Sequence, residues 1–330
     1  MAKGELDVLG VGNAIVDVFA HTDEAFLEQH DLPKGVMTLI DADRAVKLYE
    51  AMGPGVEMSG GSCGNTVAGL ASLGARCAYI GRVRDDQLGE IFRHDVRSLG
   101  VEFETPSATA GKPTARCLVY VTPDAQRTMA TFLGVCTELN EADIDEAQVA
   151  RAKVTYLEGY LWDDPRAKAA LLKAANAAHA AGRKVAFTLS DPFCVDRHRA
   201  EFRSLIADHV DILFANEAEI CSLYEVEAFD DALARVRGDC ETAVLTRSEK
   251  GSVVVAGGAV HAVPAEPVAK VVDTTGAGDL FAAGFLYGYT HGKGPEVSAR
   301  IGGICAAEVI SHVGARPETT LADLVRTRLG

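Results

Sequence analysis

The stretch that decides the fold is Val271-Val272-Asp273-Thr274-Thr275-Gly276-Ala277-Gly278-Asp279-Leu280-Phe281-Ala282-Ala283-Gly284-Phe285-Leu286. Val268 to Val272 read as a short β-prone run entering it, and Leu280, Phe281 and Phe285 mark the apolar side of a helix leaving it. Between them, Thr274 to Gly278 carry little side-chain bulk, so their backbone N–H groups can approach a ligand closely. Those donors and the start of the helix make a cradle for an anion, a phosphate above all. Asp279 stands at its lip. Beside a helix N-terminus its carboxylate is expected to stay ionised at neutral pH, and an ionised carboxylate can take a proton from an attacking hydroxyl. Read on the glycines alone, the same stretch is a strand-to-helix turn with Asp279 as a simple cap. Read whole, it outlines a phosphoryl-transfer site.

Working outward, Leu6 to Gly12 read as a buried strand that runs on through Asn13 to Phe19. Asp17 lies there between apolar neighbours, and two readings stand side by side: a carboxylate that must bind something polar, or one that faces water at a strand end. Gly10-Val11-Gly12 makes only a weak dinucleotide fingerprint, because Ile15 occupies the third glycine position. Ser59-Gly60-Gly61-Ser62-Cys63-Gly64-Asn65 opens a helix that stops at Gly74, and its open backbone and Asn65 suit a hydroxylated ligand. Strands and helices then alternate, except that 117–122 and 127–133 form a hairpin around Pro123-Asp124-Ala125-Gln126. Val154 to Leu161 read as a core strand whose one charge, Glu158, lies where ligands meet open parallel sheets, and Val185 to Leu189 read as a strand ending in a turn, Ser190 to Phe193. Asn216-Glu217-Ala218-Glu219 has the spacing of a capping box. Gly257-Gly258 marks a second hairpin. This alternation predicts one doubly wound, three-layer α/β domain over residues 1–330.

Composition narrows the function. The chain has 330 residues, 48% hydrophobic, enough for a large core. A net charge of −15 argues against nucleic acid and anionic membrane surfaces as partners. The eight cysteines form no Cys-x-x-Cys pair, which points to a reducing, cytoplasmic setting rather than a disulfide or zinc framework. No apolar run approaches a membrane span, and the N-terminus shows no signal-peptide pattern.

From Asp273 to Leu286 the chain resembles the C-terminal signature of the ribokinase-like (phosphofructokinase B-type) sugar and nucleoside kinases. The 59–65 stretch resembles their N-terminal signature, with Cys63 and Val67 in place of small residues. The resemblance implies a ribokinase-like sheet with a small β-sheet lid, here about 14–40 and 112–133. It implies Asp279 as general base and Gly276, Ala277 and Gly278 as anion hole, with Arg127 near the transferred phosphate or, equally, a solvated edge-strand Arg. Asn13, Asp17, Gly60, Gly61, Ser62, Asn65 and Glu158 would bind the acceptor. Asn216, Thr246, Gly251, Thr275 and Gly314 would bind ATP. Glu219 would act on Mg2+ through water, and Asp273 would face a monovalent cation such as K+. The stretches 127–134 and 156–162 look most like bacterial adenosine kinases, so the expected acceptor is the 5′-hydroxyl of adenosine. A free-sugar kinase and a non-catalytic sugar- or nucleotide-binding paralogue stand as alternatives, as monomer or homodimer. A nicotinamide oxidoreductase on a similar sheet is disfavoured by the missing glycine and the inserted hairpin.

Overall fold

The computed structural model describes residues 4–124 and 126–330, so Met1 to Lys3 and Ala125 of the first hairpin's turn lie outside it. The strands, in chain order, are β1 (Leu6–Val11), β2 (Ile15–His21), β3 (Met37–Leu39), β4 (Val56–Gly60), β5 (Cys77–Ile80), β6 (Glu102–Phe103), β7 (Ala115–Val121), β8 (Arg127–Phe132), β9 (Ala152–Glu158), β10 (Lys184–Thr188), β11 (Ile212–Asn216), β12 (Thr242–Thr246), β13 (Ser252–Ala256) and β14 (Ala259–Val263). Nine of them form one sheet in the order β14-β13-β12-β11-β10-β9-β1-β5-β6. From β6 to β12 neighbours are parallel, and the β13–β14 hairpin adds two antiparallel strands at one edge. Gly257 and Gly258, at φ 56° and 79°, supply the left-handed turn that such a two-residue hairpin requires.

Parallel strands sandwiched by helices are covered on both faces, and the sequence shows why. In β1, LDVLGV, all six residues are buried. Apolar residues on the sheet's two faces feed separate core clusters, one built around Leu9, Leu157 and Phe187 and the other around Val8, Tyr156 and Phe285. Strand order reverses at β1, with β5 on one side and β9 on the other. The carboxyl ends of β1 and β9 therefore border the crevice where open α/β sheets hold ligands.

The other five strands form a second sheet, β3-β8-β7-β2-β4. It grows directly out of the first: three residues, 12–14, separate β1 from β2, and β4 runs into the helix Ser62–Ser72 through Gly61. The strand β4 was not anticipated. Three further expectations need correction. The run Val268 to Val272 forms no strand; it lies beside the helix Pro295–Val309, with Val272 N–H donating to the Ile310 carbonyl, and finds no sheet neighbour. The core strand from Val154 stops at Glu158, and 159–163 continue as a tight 3-10 turn. The turn at Ser190–Phe193 opens an unforeseen helix, Pro192–His209, capped by Asp191, whose carboxylate accepts from Cys194 N–H at 2.6 Å. No helix among the described residues is long and apolar enough to cross a membrane.

Candidate active site

The cradle forms as a turn with one strained point and one open point. Gly276 adopts φ 78°, and a Cβ there would lie 2.8 Å from Ala315 Cβ, so only glycine fits. A Cβ at Gly278 would meet nothing within 4 Å, which leaves the backbone approachable. The helix Ala277–Thr290 starts here without a side-chain cap. Among the described residues, nothing accepts from the N–H groups of Gly276, Gly278 and Asp279. Asp279 projects from the first turn. It meets the other glycine loop, where Ser62 Oγ donates to Oδ1 at 2.6 Å and Asn65 Nδ2 to Oδ2 at 2.9 Å. Burial pushes the Asp279 carboxyl up, opposed by those two hydrogen bonds and by the charge of Arg316. The helix N-terminus therefore does not by itself decide its ionisation.

Asp17 lies on β2, facing the same crevice. A Cβ at Gly60 would sit 2.2 Å from its Oδ2, so this glycine makes room for a carboxylate. No protein donor among the described residues reaches Asp17, and burial raises it to about 7, with Arg316 and Arg127 pulling the other way. Gly61, at φ 84°, is shaped by the Asn13 carbonyl, 2.4 Å from where its Cβ would be.

Several residues expected at the ligand are committed elsewhere. Glu158 is 1% exposed. It accepts from Asn13 Nδ2 at 2.8 Å, Cys63 N–H at 3.0 Å and Asn13 N–H at 3.4 Å, bracing three chain segments rather than reaching an acceptor. Burial lifts it to about 7 despite those donors. Ser62 and the Asn65 amide nitrogen are occupied by Asp279. Two buried acceptors, Asn13 Oδ1 and Asn65 Oδ1, remain without a protein donor, and these fit hydroxyl groups.

Asp273 is a hub, and the monovalent-cation role expected for it is not supported. Thr275 donates to Oδ1 from N–H at 3.0 Å and from Oγ1 at 2.7 Å, Gly314 N–H to Oδ2 at 3.0 Å, and the Arg127 guanidinium sits 2.7 Å from Oδ2. Donors and a resident cation already fill the carboxylate. For the same reason the N–H groups of Thr275 and Gly314 are not free for nucleotide. Arg127 is no solvated edge residue: its side chain is 8% exposed and lies over the Phe19 ring, with Nε and one terminal nitrogen unpartnered. Gly251 is required by packing, since its Cβ would fall 2.1 Å from the Val263 carbonyl. Thr246 and Asn216 pair in register at the ends of β12 and β11. There Asn216 donates to Glu219 from N–H at 2.9 Å and Nδ2 at 2.6 Å, completing the capping box. Glu219 is raised to about 7 by burial. No three His, Cys, Asp or Glu side chains among the described residues group as a metal site, so a metal here would need ligands from a bound phosphate.

Arg316 escaped the sequence reading. Its guanidinium donates to the Ser59 carbonyl, Ser59 Oγ and the Gly64 carbonyl, and carries positive charge into the space between Asp17 and Asp279. The only signal was its place directly after His312-Val313-Gly314-Ala315.

Comparison with known proteins agrees with this geometry. An adenosine kinase from Sinorhizobium meliloti superposes with a TM-score of 0.90 at 54% identity, covering 98% of this chain and 100% of that one. A probable sugar kinase protein from Rhizobium etli CFN 42 gives 0.91 at 50% identity, over 99% of both. Adenosine kinase 1 of Arabidopsis thaliana is 29% identical over 95% of this chain and 97% of its own length. The model of the pfkB family carbohydrate kinases matches residues 38–321. The chain belongs to that family and is a phosphotransferase acting on a hydroxyl group.

Proposed function

We propose that this protein transfers the γ-phosphate of ATP to the 5′-hydroxyl of adenosine. The observation that carries the transfer chemistry is the meeting of Asp279 with Ser62 and Asn65 beside unpartnered N–H donors of the cradle. Two hydrogen bonds fix the direction of the carboxylate, which is what a base needs to accept a proton from a hydroxyl held in line with phosphate. Gly276, Gly278 and Asp279 N–H donors stabilise the charge that develops on the phosphoryl oxygens. Arg127, with two unpartnered nitrogens, supplies a further positive group at the same place. A divalent cation, Mg2+ as the expected one, would offset phosphate charge, with Glu219 behind it through water.

The acceptor assignment rests on the second sheet. Strand alternation places Ile15, Asp17 and Phe19 on one face, and the register sets Asp17 beside Cys117 and Phe19 beside Val119, which pairs in turn with Met129. Cys117, Val119 and Val121 pack there with Ile15, Phe19 and Met129. A carboxylate for ribose hydroxyls next to an apolar platform suits a nucleoside, whose aromatic base supplies area that a free sugar lacks. Relatives that are adenosine kinases favour adenosine in the same direction. Asp17 would serve free ribose equally, so a sugar kinase is the second reading. This sheet acts as the lid, excluding water that would compete for the phosphate.

Asp279→Asn tests the transfer chemistry. Turnover with adenosine and Mg-ATP is expected to fall by about 100-fold or more with the fold intact, the scale of general acid–base groups. Near wild-type turnover at saturating substrates would remove Asp279 from the mechanism.

A further inference from the structure

Arg316 joins two parts of the site that are distant in sequence. On one side it follows Gly314 and Ala315, which are packed into the cradle: Gly314 N–H donates to Asp273, and Ala315 occupies the space a side chain at Gly276 would need. On the other side its guanidinium grips both ends of the glycine loop. Nε donates to the Ser59 carbonyl at 3.1 Å, one terminal nitrogen to Ser59 Oγ at 2.9 Å, and the other to the Gly64 carbonyl at 3.0 Å. Ser59 is itself anchored, donating from N–H at 2.7 Å and from Oγ at 2.5 Å to Asp95. Between the two gripped ends lie Gly60, which shapes the space for Asp17, and Ser62, which holds Asp279. Asn65 follows immediately.

We propose that Arg316 is a positioning residue for the phosphoryl transfer: it ties the donor-side loop to the acceptor-side glycine loop and, through Ser62 and Asn65, sets the orientation of Asp279. A planar fork with several fixed donors suits this task, whereas an ammonium offers only a point charge. The guanidinium also faces carboxylates from three directions, Asp17 on β2, Asp95 on the helix Gln87–Ser98 and Asp279 on the helix Ala277–Thr290, with the Tyr79 hydroxyl of β5 nearby. Around Asp279 stand Cys63, Tyr156, Glu158, Tyr160 and Glu219, and Arg127 shares the field at Asp17. Among these groups Arg316 is the cation whose charge acts on Asp279.

The inference rests on Asp279 being the base, so Asp279→Asn is measured beside Arg316→Gln and Arg316→Lys. The base must be ionised, so kcat falls as pH drops through its pKa, and removal of a nearby cation raises that pKa. Arg316→Gln is expected to lower kcat about tenfold or more and to move the acid limb of the kcat–pH profile up by about half a unit or more. Arg316→Lys is expected to keep the limb in place yet lose about threefold or more in kcat, because charge survives and the fork does not. A folded Arg316→Gln with kcat within twofold of wild type, or with lowered kcat and an unmoved limb, overturns the proposal. If Arg316→Gln does not fold, Arg316→Lys decides: lowered kcat with a fixed limb sustains it, and wild-type kcat overturns it. An active Asp279→Asn would instead sink the base assignment on which all of this stands.

Discussion

The two sheets differ in how they use their faces. Every residue of β1 in the larger sheet is buried. In β2 of the smaller sheet buried and half-buried residues alternate, and Asp17 sits on the less covered face. A strand closed on both faces has no surface to offer, so the buried central strands of the larger sheet can present function only at their ends and the turns beside them. There lie the cradle, Asn216, Glu219 and Glu158. A strand covered on one face has the other to give, and the smaller sheet gives its own to a carboxylate and an apolar platform. Under the proposed function, the difference gives donor chemistry to one sheet and acceptor recognition to the other.

Removing Asp17 should break that division most visibly. A ribose bound through two charge-assisted hydrogen bonds, each worth roughly 1.5–3 kcal/mol, predicts that Asp17→Ala lowers kcat/KM for the acceptor by about 100-fold or more. The KM for ATP should stay within about twofold. Steady-state kinetics with each substrate varied in turn would check this, and an equal loss on both sides would erase the distinction between the sheets.

Arg127 spans the boundary, pairing from β8 to Asp273 in the larger sheet's motif. Arg127→Ala removes one charged partner from a hub that keeps its Thr275 and Gly314 donors, so a loss of about tenfold in kcat/KM for ATP is expected. An effect confined to the acceptor's KM would place Arg127 with the lid alone.

The smallest effect concerns stability. Glu158 titrates at about 7 in the fold against 4.5 as a free side chain. The native state therefore holds its proton more tightly than the unfolded chain, and this group's contribution is fully present below the unfolded pKa and lost as pH rises through about 7. Asp17 and Glu219, both raised to about 7, act in the same sense. Glu158→Gln, with Asn13 turning its amide so that the unpartnered Oδ1 accepts, should gain about 1 kcal/mol over wild type at pH 8 and less at pH 5. Urea unfolding at both pH values reads this. A uniform loss at both would show that Glu158 is needed as a carboxylate.

The cradle was legible in sequence because its geometry is local: Asp273, Gly276 and Gly278 carry their own backbone logic within a few residues. The contacts that complete it were not. Ser62 and Asn65 meet Asp279 across more than 200 positions, and nothing in the 59–65 stretch distinguishes holding a carboxylate from holding a sugar. Val268 to Val272 had strand composition but no neighbour to pair with. In the helix Pro192–His209 buried residues cluster at Cys194, Val195, Phe202, Leu205 and Ile206, and the charged turn between them hides the helical period. Arg316 had no pattern at all, since a single cation after a glycine gains meaning only when the loop folds back.

The most direct test of the account compares AMP formation from adenosine with phosphorylation of inosine, ribose and fructose at fixed Mg-ATP. The kcat/KM for adenosine is expected to exceed that for ribose and for fructose by about tenfold or more, since only a nucleoside fills both Asp17 and the apolar platform. If ribose or fructose is preferred tenfold over adenosine, the platform is not a base site and the acceptor assignment is wrong, while the kinase chemistry of the cradle stands.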